Sequence, residues 1–331
     1  MSAPLPLERV TSLLAQASGQ RILVVGDAML DVYLIGDVER ISPEAPVPVV
    51  RIREKRYALG GAANVAQNLV ALGAHCDLVA AVGDDHSGAT LRTMLRGLGS
   101  DDHSLVHVAR CTTEKTRIVA RAQQVVRVDF EELDDLIADE QAALLDRITA
   151  ALPHASALVL EDYNKGVLSA ELIDAVMELA RQRKIPVVVD PKYRNFFRYR
   201  GSTIFKPNLR ELEAALGASL DIDHPETLPA LVEQLGVENI LLTMGSRGMV
   251  LFGSAGEVIR VPTAARTVFD VVGAGDTVTA YLAAMLAAGA TPAEAAIIAN
   301  MAAGIEVGKL GAATVSPEEI LAYLKDDHAP A

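Results

Sequence analysis

Tryptophan is absent from this chain of 331 residues, and aromatic residues make up only 4%. A single-strand nucleic-acid platform needs stacked rings, so that class is disfavoured. Basic charge is also scarce: 30 Lys and Arg against 43 Asp and Glu leave a net charge of −13 at pH 7. A surface that grips a phosphate backbone needs the opposite balance. Cysteine occurs only at 76 and 111. That is too few for a disulfide framework and suits a reduced cytosol. The apolar stretch 278–290 is too short to cross a bilayer, and Asp276 stands just before it. Residues 1–20 lack the basic-then-apolar order of a secretory signal, so a cytoplasmic enzyme is expected. Zinc-type Cys/His spacing is missing, as are G-x-x-x-x-G-K-[ST] and a G-x-G-x-x-G turn after a strand. The 7 histidines are scattered and receive no role.

What remains is a chain half hydrophobic in composition, long enough for one large domain or two small ones. Its pattern alternates. Arg21 to Gly26 reads as a short buried strand, 62–72 as a helix stopped by Gly73, 77–82 as a strand and 88–98 as a helix. Strand, helix and strand recur at 157–160, 170–182 and 187–190, and 239–243 is another buried strand. Helices are expected at 277–288, 292–307 and 316–325, with a frayed tail from 326. This order predicts an α/β fold with a mainly parallel sheet and helices on both faces. Two stretches, 32–57 and 111–130, alternate like exposed or edge strands. Basic residues gather there: Lys115, Arg117 and Arg121 on one face, and Arg51, Arg53 and Lys55 on another. Lys192, Arg194, Arg198 and Arg200 crowd a third place. Each cluster is either a solvated face or a docking point for a small anion.

The densest chemical signal is Asp270-Val271-Val272-Gly273-Ala274-Gly275-Asp276-Thr277, which runs into an apolar helix. Glycines allow a tight turn and close approach to a ligand, and the helix start offers free N–H groups and a positive dipole end. Together they form an anion hole suited to phosphate. Asp276 is then either a helix-capping acid or a base that takes a proton from a hydroxyl attacking a phosphoryl group.

This segment resembles the signature of the ribokinase family of carbohydrate kinases, also called the PfkB family. Leu59-Gly60-Gly61-Ala62-Ala63-Asn64-Val65-Ala66, Asp190-Pro191-Lys192, Pro207-Asn208-Leu209-Arg210-Glu211 and Thr243-Met244-Gly245-Ser246-Arg247-Gly248 resemble further family elements, in the family's order. The resemblance implies a ribokinase-like three-layer α/β fold and a small β lid over the sugar. Residues 1–331 would then form one domain, with lid insertions near 32–57 and 111–130, and the lid would pair with that of a second subunit in a homodimer.

It also implies roles. Asp276 would be the base, with Gly273, Ala274 and Gly275 forming the anion hole. Asp31, Gly60, Gly61 and Asn64 would contact the acceptor sugar, although Asp31 alone reads equally as a loop-capping acid and the glycine pair as ordinary turn material. Asp162, Lys165 and Lys192 follow strands and face the crevice at their carboxyl ends, where a lysine can meet a phosphate. Asn208 and Glu211, spaced for one helix face, would place magnesium and phosphates through water, or simply cap a helix. Thr243, Gly245, Gly248 and Asn300 would hold ATP. Asp270 and Val272, with residues 308–311, would be the neighbourhood of a monovalent cation such as potassium.

Within the family, residues 162–168, 42–49 and 190–192 look like the heptose 7-phosphate kinases, which phosphorylate the anomeric O1 of D-glycero-β-D-manno-heptose 7-phosphate for lipopolysaccharide heptose. The implied partner is thus a small sugar phosphate, its phosphate read by Lys192 and Arg117. In many bacteria that kinase is the first half of a longer protein ending in a nucleotidyltransferase, so a separate partner enzyme is expected for this chain. Another sugar kinase of the same fold is the alternative. A non-catalytic sugar-binding regulator is a third possibility, disfavoured by the intact 273–276 segment.

Overall fold

The computed structural model describes residues 5–99, 105–120, 123–224 and 228–327. Arg121 and the end of the tail expected to fray lie outside them.

The buried run of β1 (Arg21–Gly26) lies inside a nine-stranded sheet. On one side follow β4 (His75–Gly83) and β5 (Leu105–Val108). On the other come β8 (Ala157–Glu161), β9 (Val187–Asp190), β10 (Ile204–Phe205), β11 (Asn239–Thr243), β12 (Met249–Gly253) and β13 (Val258–Val261). Pairing is parallel from β5 through β11, and the last two strands turn back as an antiparallel edge.

Side chains along each strand alternate between two cores. Ile22 and Val24 of β1 share one core with helices α1 (Leu7–Ala17), α2 (Ala62–Ala71), α3 (His86–Gly97), α8 (Ala274–Ala287), α9 (Pro292–Glu306) and α10 (Pro317–Asp327). Leu23 and Val25 share the other with α4 (Ala138–Ala151), α5 (Ala170–Arg183), α6 (Leu209–Leu216) and α7 (Pro229–Leu235). The expected three layers are present. The alternation in the sequence did not announce α1, whose Val10, Leu13, Leu14 and Ala17 form a buried stripe, nor α4. Helix α8 is buried on every side from Asp276 to Met285, packed between α2, α9 and the sheet. Each fully buried Val, Leu or Met there contributes about 1.5–3 kcal/mol, which fixes the helix and its first turn. Among the described residues, no helix is long and apolar enough to cross a membrane.

A second sheet of four strands grows from the end of β1. Its order is β3 (Pro48–Gly61), β2 (Ala28–Ile41), β6 (Glu114–Ala120) and β7 (Gln123–Phe130). It occupies the stretches expected to form a lid, but its strands start and end wider than 32–57. Asp31, read from sequence as a residue at the end of the first strand, sits on β2 opposite Lys115. Gly61 ends β3 with φ 56, and a side chain there would meet the Asp27 carbonyl oxygen at 2.4 Å, so only glycine fits.

Asp27 joins the two sheets to the loop 162–167. Its carboxylate is buried and accepts from the N–H groups of Tyr163 (2.8 Å), Lys165 (3.0 Å) and Val167 (3.3 Å). Asp27→Ala leaves these three donors without an acceptor. At about 1–3 kcal/mol for each, chemical denaturation should show a loss of at least ~3 kcal/mol. A change below ~1 kcal/mol would mean that the loop does not depend on Asp27.

Candidate active site

The carboxyl ends of β8, β9 and β10 converge on the first turn of α8. Gly273 caps that helix with φ 94. A side chain there would come within 2.9 Å of Asn64 Nδ2 and 3.1 Å of Ala312 Cβ, so both the backbone angle and the space demand glycine. The N–H groups of Gly275 and Asp276 have no backbone acceptor. They are thus free to donate to an anion, as the sequence led one to expect.

Asp276 is 4% exposed. Asn64 Nδ2 donates to its Oδ2 at 2.7 Å, and Tyr163 Oη donates to its Oδ1 at 2.8 Å. Burial pushes its pKa up to about 6; the two donors pull it down, Asp190 pushes it up, and Lys206 offsets part of that push.

Three carboxylates meet here. Glu161, Asp190 and Asp276 each place an oxygen within 4.8 Å of the others. Burial and the two neighbouring acids drive the Glu161 carboxyl well above the usual range, and Lys206 and Lys192 oppose them. Burial opposes ionisation of Asp190 as well, but Lys206 and Lys192 outweigh it and hold Asp190 charged. Lys206 Nζ lies 2.8 Å from Asp190 Oδ2, and 3.7 Å from where a side chain on Gly275 would begin. Lys206 is thus a buried ammonium at the edge of the anion hole.

The nucleotide residues expected from sequence come together. A cavity of about 340 Å³ is lined by Thr243, Gly245, Gly248, Ala274, Gly275 and Asn300. Its rim carries Val268 and Val271, both exposed apolar side chains suited to cover a planar base. Asn208 pairs with Thr243 and caps α6. Its Oδ1 accepts from Glu211 N–H at 2.9 Å, and its own N–H donates to Glu211 Oε2 at 2.8 Å. Lys192 Nζ binds Glu211 Oε1 at 2.5 Å. Lys192 thus pairs with Glu211, and its Nζ also lies 5.0 Å from the Tyr163 ring centre.

Other expected residues are placed differently. Arg117 is buried and donates to Asp31 Oδ1 at 2.7 Å. It fixes the acid that would hold the sugar. Gly60 packs against the same Asp31 carboxylate. Asn64, expected to contact sugar, orients Asp276. Asp162 is buried, and its oxygens accept from Asn164 N–H and Tyr199 Oη, each at 2.7 Å, which braces its loop. Lys165 pairs with Glu131 at 2.7 Å. Lys115 forms no ion pair among the described residues and lies 5.3 Å from the Tyr163 ring centre. Burial lowers its pKa, and Lys165 and Arg127 lower it further while Asp31 opposes them.

Asp270 accepts from the N–H groups of Val272 (3.1 Å) and Gly311 (3.2 Å), drawing the two loops together. Nearby Glu306 is 1% exposed, with neither oxygen in bonding geometry to a donor. Burial, then Asp276 and Asp270, push it up to about 8. Sequence reasoning missed Lys206, Glu161, Glu306 and Asp27. Lys206 was within reach, since it follows a buried strand and precedes Pro207-Asn208.

Comparison with known proteins places the chain in a family. Residues 20–319 match the pfkB family carbohydrate kinase. The chain is 44% identical over 326 residues to Bifunctional protein HldE of Geobacter sulfurreducens, covering 97% of this chain and 66% of that protein. It therefore spans about two thirds of that relative's length. Among solved structures, ribokinase of Arabidopsis thaliana, complexed with ribose and ATP, superposes with TM-score 0.74 at 21% identity over 93% of this chain and 99% of that one. Phosphofructokinase-2 of Escherichia coli, in complex with potassium, superposes with TM-score 0.77 at 20% identity over 93% and 99%. At such identities the two structures speak for the fold alone. The matched span takes in the lid, the glycine-lined cavity and the buried acid at its anion hole, and the chain belongs to the pfkB family of carbohydrate kinases.

Proposed function

We propose that this kinase transfers the γ-phosphoryl group of ATP to the anomeric O1 hydroxyl of D-glycero-β-D-manno-heptose 7-phosphate. The observation that carries the phosphorylated acceptor is Lys115. It is a half-buried ammonium without a carboxylate partner, close to Lys165 and Arg127. Lys165 and Arg127 have acids of their own, Glu131 and Asp129, so Lys115 is the cation of this group that is left to meet a phosphate. The resemblance of residues 162–168 and 42–49 to heptose 7-phosphate kinases, and the 44% identity to HldE, support the same acceptor.

Asp276 takes the O1 proton as O1 forms its bond to the γ-phosphorus. The bond from that phosphorus to the β,γ-bridging oxygen breaks, and ADP leaves. The Gly275 and Asp276 N–H groups and Lys206 face the charge that develops. Asp31, held by Arg117, accepts from sugar hydroxyls. Asn208 and Glu211 are the residues for magnesium. Glu211 already receives Lys192 and an N–H, so it would act through water, as that ion prefers. When bound, magnesium neutralises nucleotide phosphate charge. Asp270, the Val272 backbone and the donor-free Glu306 suit a monovalent cation, which would add positive charge behind the anion hole.

Asp276→Asn tests the base. Calorimetry should show nucleotide and sugar binding retained, and turnover should fall about 10²- to 10⁴-fold. In the wild type the base must be ionised. Its specificity constant should therefore drop toward acid with a midpoint near pH 6, following the raised Asp276. Near wild-type turnover in the variant would remove Asp276 from the mechanism.

For the phosphate, the comparison is between heptose 7-phosphate and the unphosphorylated heptose. Lys115→Met should lower the ratio of their specificity constants by about 10- to 150-fold, the range of one charge-assisted bond. An unchanged ratio would place the phosphate elsewhere. A wild-type preference for the unphosphorylated sugar would overturn the acceptor assignment.

The described residues read as one domain whose lid also serves assembly. The edge strands β3 and β7 expose Ile52, Val125, Val126 and Phe130. A second copy covers both the edges and these side chains. Light scattering at micromolar concentration should give a homodimer, and Val126→Lys should shift it toward monomer. A wild-type monomer would count against lid pairing.

A further inference from the structure

Tyr163 touches the base, yet the transfer just described does not use it. Its hydroxyl donates to Asp276 Oδ1 at 2.8 Å while Asn64 holds Oδ2 at 2.7 Å. Both oxygens of the base are thus engaged by the protein itself. Each oxygen keeps a further lone pair, but the O1 hydroxyl of an acceptor must compete with one of these two donors for its place beside the base. Asn64 is the fixed partner. It is 1% exposed, and the Asn68 side chain donates to both its carbonyl and its Oδ1. Tyr163 is the replaceable one. It is only half-buried and reaches in from the loop 162–167. That loop is built with care: Asp27 binds three of its N–H groups, and Asn164 (φ 54) and Gly166 (φ 82) take left-handed backbone angles. The Tyr163 ring is held by two ammonium groups, Lys192 at 5.0 Å and Lys115 at 5.3 Å from its centre.

We propose that Tyr163 is a guard of the base, a positioning residue whose hydroxyl occupies the Asp276 oxygen that the acceptor hydroxyl must take. This rests on the reading of Asp276 as the base. With Tyr163 in place, water must compete with the tyrosine hydroxyl for that oxygen, so bound ATP is spared. The sugar displaces the tyrosine. An acceptor phosphate assists, because it draws Lys115 away from the ring that Lys115 helps to hold. The side reaction being suppressed is hydrolysis. In it, water oxygen bonds to the γ-phosphorus, its proton passes to Asp276, the bond to the bridging oxygen breaks, and ADP and inorganic phosphate leave.

The test is Tyr163→Phe, which keeps the ring between the lysines and removes only the hydroxyl. ATP hydrolysis without sugar should rise about 10-fold, the size of one charge-assisted hydrogen bond. The KM for the sugar phosphate should fall by a similar factor, whichever way kcat moves, since nothing must be displaced. Tyr163→Leu, which also removes the ring, should show the same two changes. A purely structural tyrosine predicts a different pattern: KM rises, kcat falls, and hydrolysis does not increase. The proposal requires both changes, and absence of either overturns it. Adding Asp276→Asn to Tyr163→Phe should abolish the extra hydrolysis. If Asp276→Asn alone leaves sugar phosphorylation intact, the base assignment fails. If that variant is inactive while Tyr163→Phe is silent, only the guard fails.

Discussion

The structure turns on the cost of gathering three carboxylates in a dry place. Glu161, Asp190 and Asp276 lie at the ends of β8 and β9 and the start of α8, all buried. Three charges at such spacing cannot coexist in low dielectric. The molecule settles the conflict by dividing the states. Glu161 is pushed well above the usual carboxylate range, Asp190 is held below it by Lys206 and Lys192, and Asp276 is raised to about 6. A base with a pKa near neutrality is a better proton acceptor in use than an ordinary aspartate, while remaining mostly ionised at pH 7. Lys206 serves twice, because the ammonium that holds Asp190 also borders the anion hole.

The fold supplies the convergence that this balance requires. Strands β8, β9 and β10 run parallel, so their carboxyl ends arrive at one edge of the sheet. Helix α8 is apolar all round and can therefore be driven through the core, with only its first turn emerging at that edge. Asp276 is the polar residue carried in by this helix, and the glycine before it allows the turn. The lid strand β2 grows from the end of β1 and brings Asp31 over the same edge. The sheet thus delivers two acids, Glu161 and Asp190, and the helix and the second sheet one each, Asp276 and Asp31.

Much of this was legible along the chain. The strand and helix alternation, the glycine turns and the helix-start acid are local signals, carried by residues close in sequence. That Thr243, Gly245, Gly248 and Gly275 line one cavity followed from them, because each belongs to a turn that can be read alone. Partnerships across the chain were not legible. Asn64 and Asp276 are 212 residues apart, and Tyr163 and Asp276 are 113 apart. Glu161 and Asp162 show why chemistry at a strand end is ambiguous. Neighbouring side chains point to opposite sides, and which acid joins the cluster depends on register that composition does not reveal. Glu161 joined it, and Asp162 turned to Tyr199.

The basic residues teach the same lesson through pairing. In a chain of net charge −13 an isolated positive cluster looks like an anion site, yet most of its members have acids of their own. Arg117 belongs to Asp31, Lys192 to Glu211, Lys165 to Glu131 and Lys206 to Asp190. A paired lysine offers a phosphate little, since it must give up one anion to gain another. Affinity for a new anion is expected where pairing fails, and Lys115 forms no ion pair among the described residues. On the proposed reading, its ring contact with Tyr163 would give an anion a route to Asp276. An excess of acid in the surroundings sharpens this arrangement, because a phosphate finds few unpaired cations on which to settle wrongly.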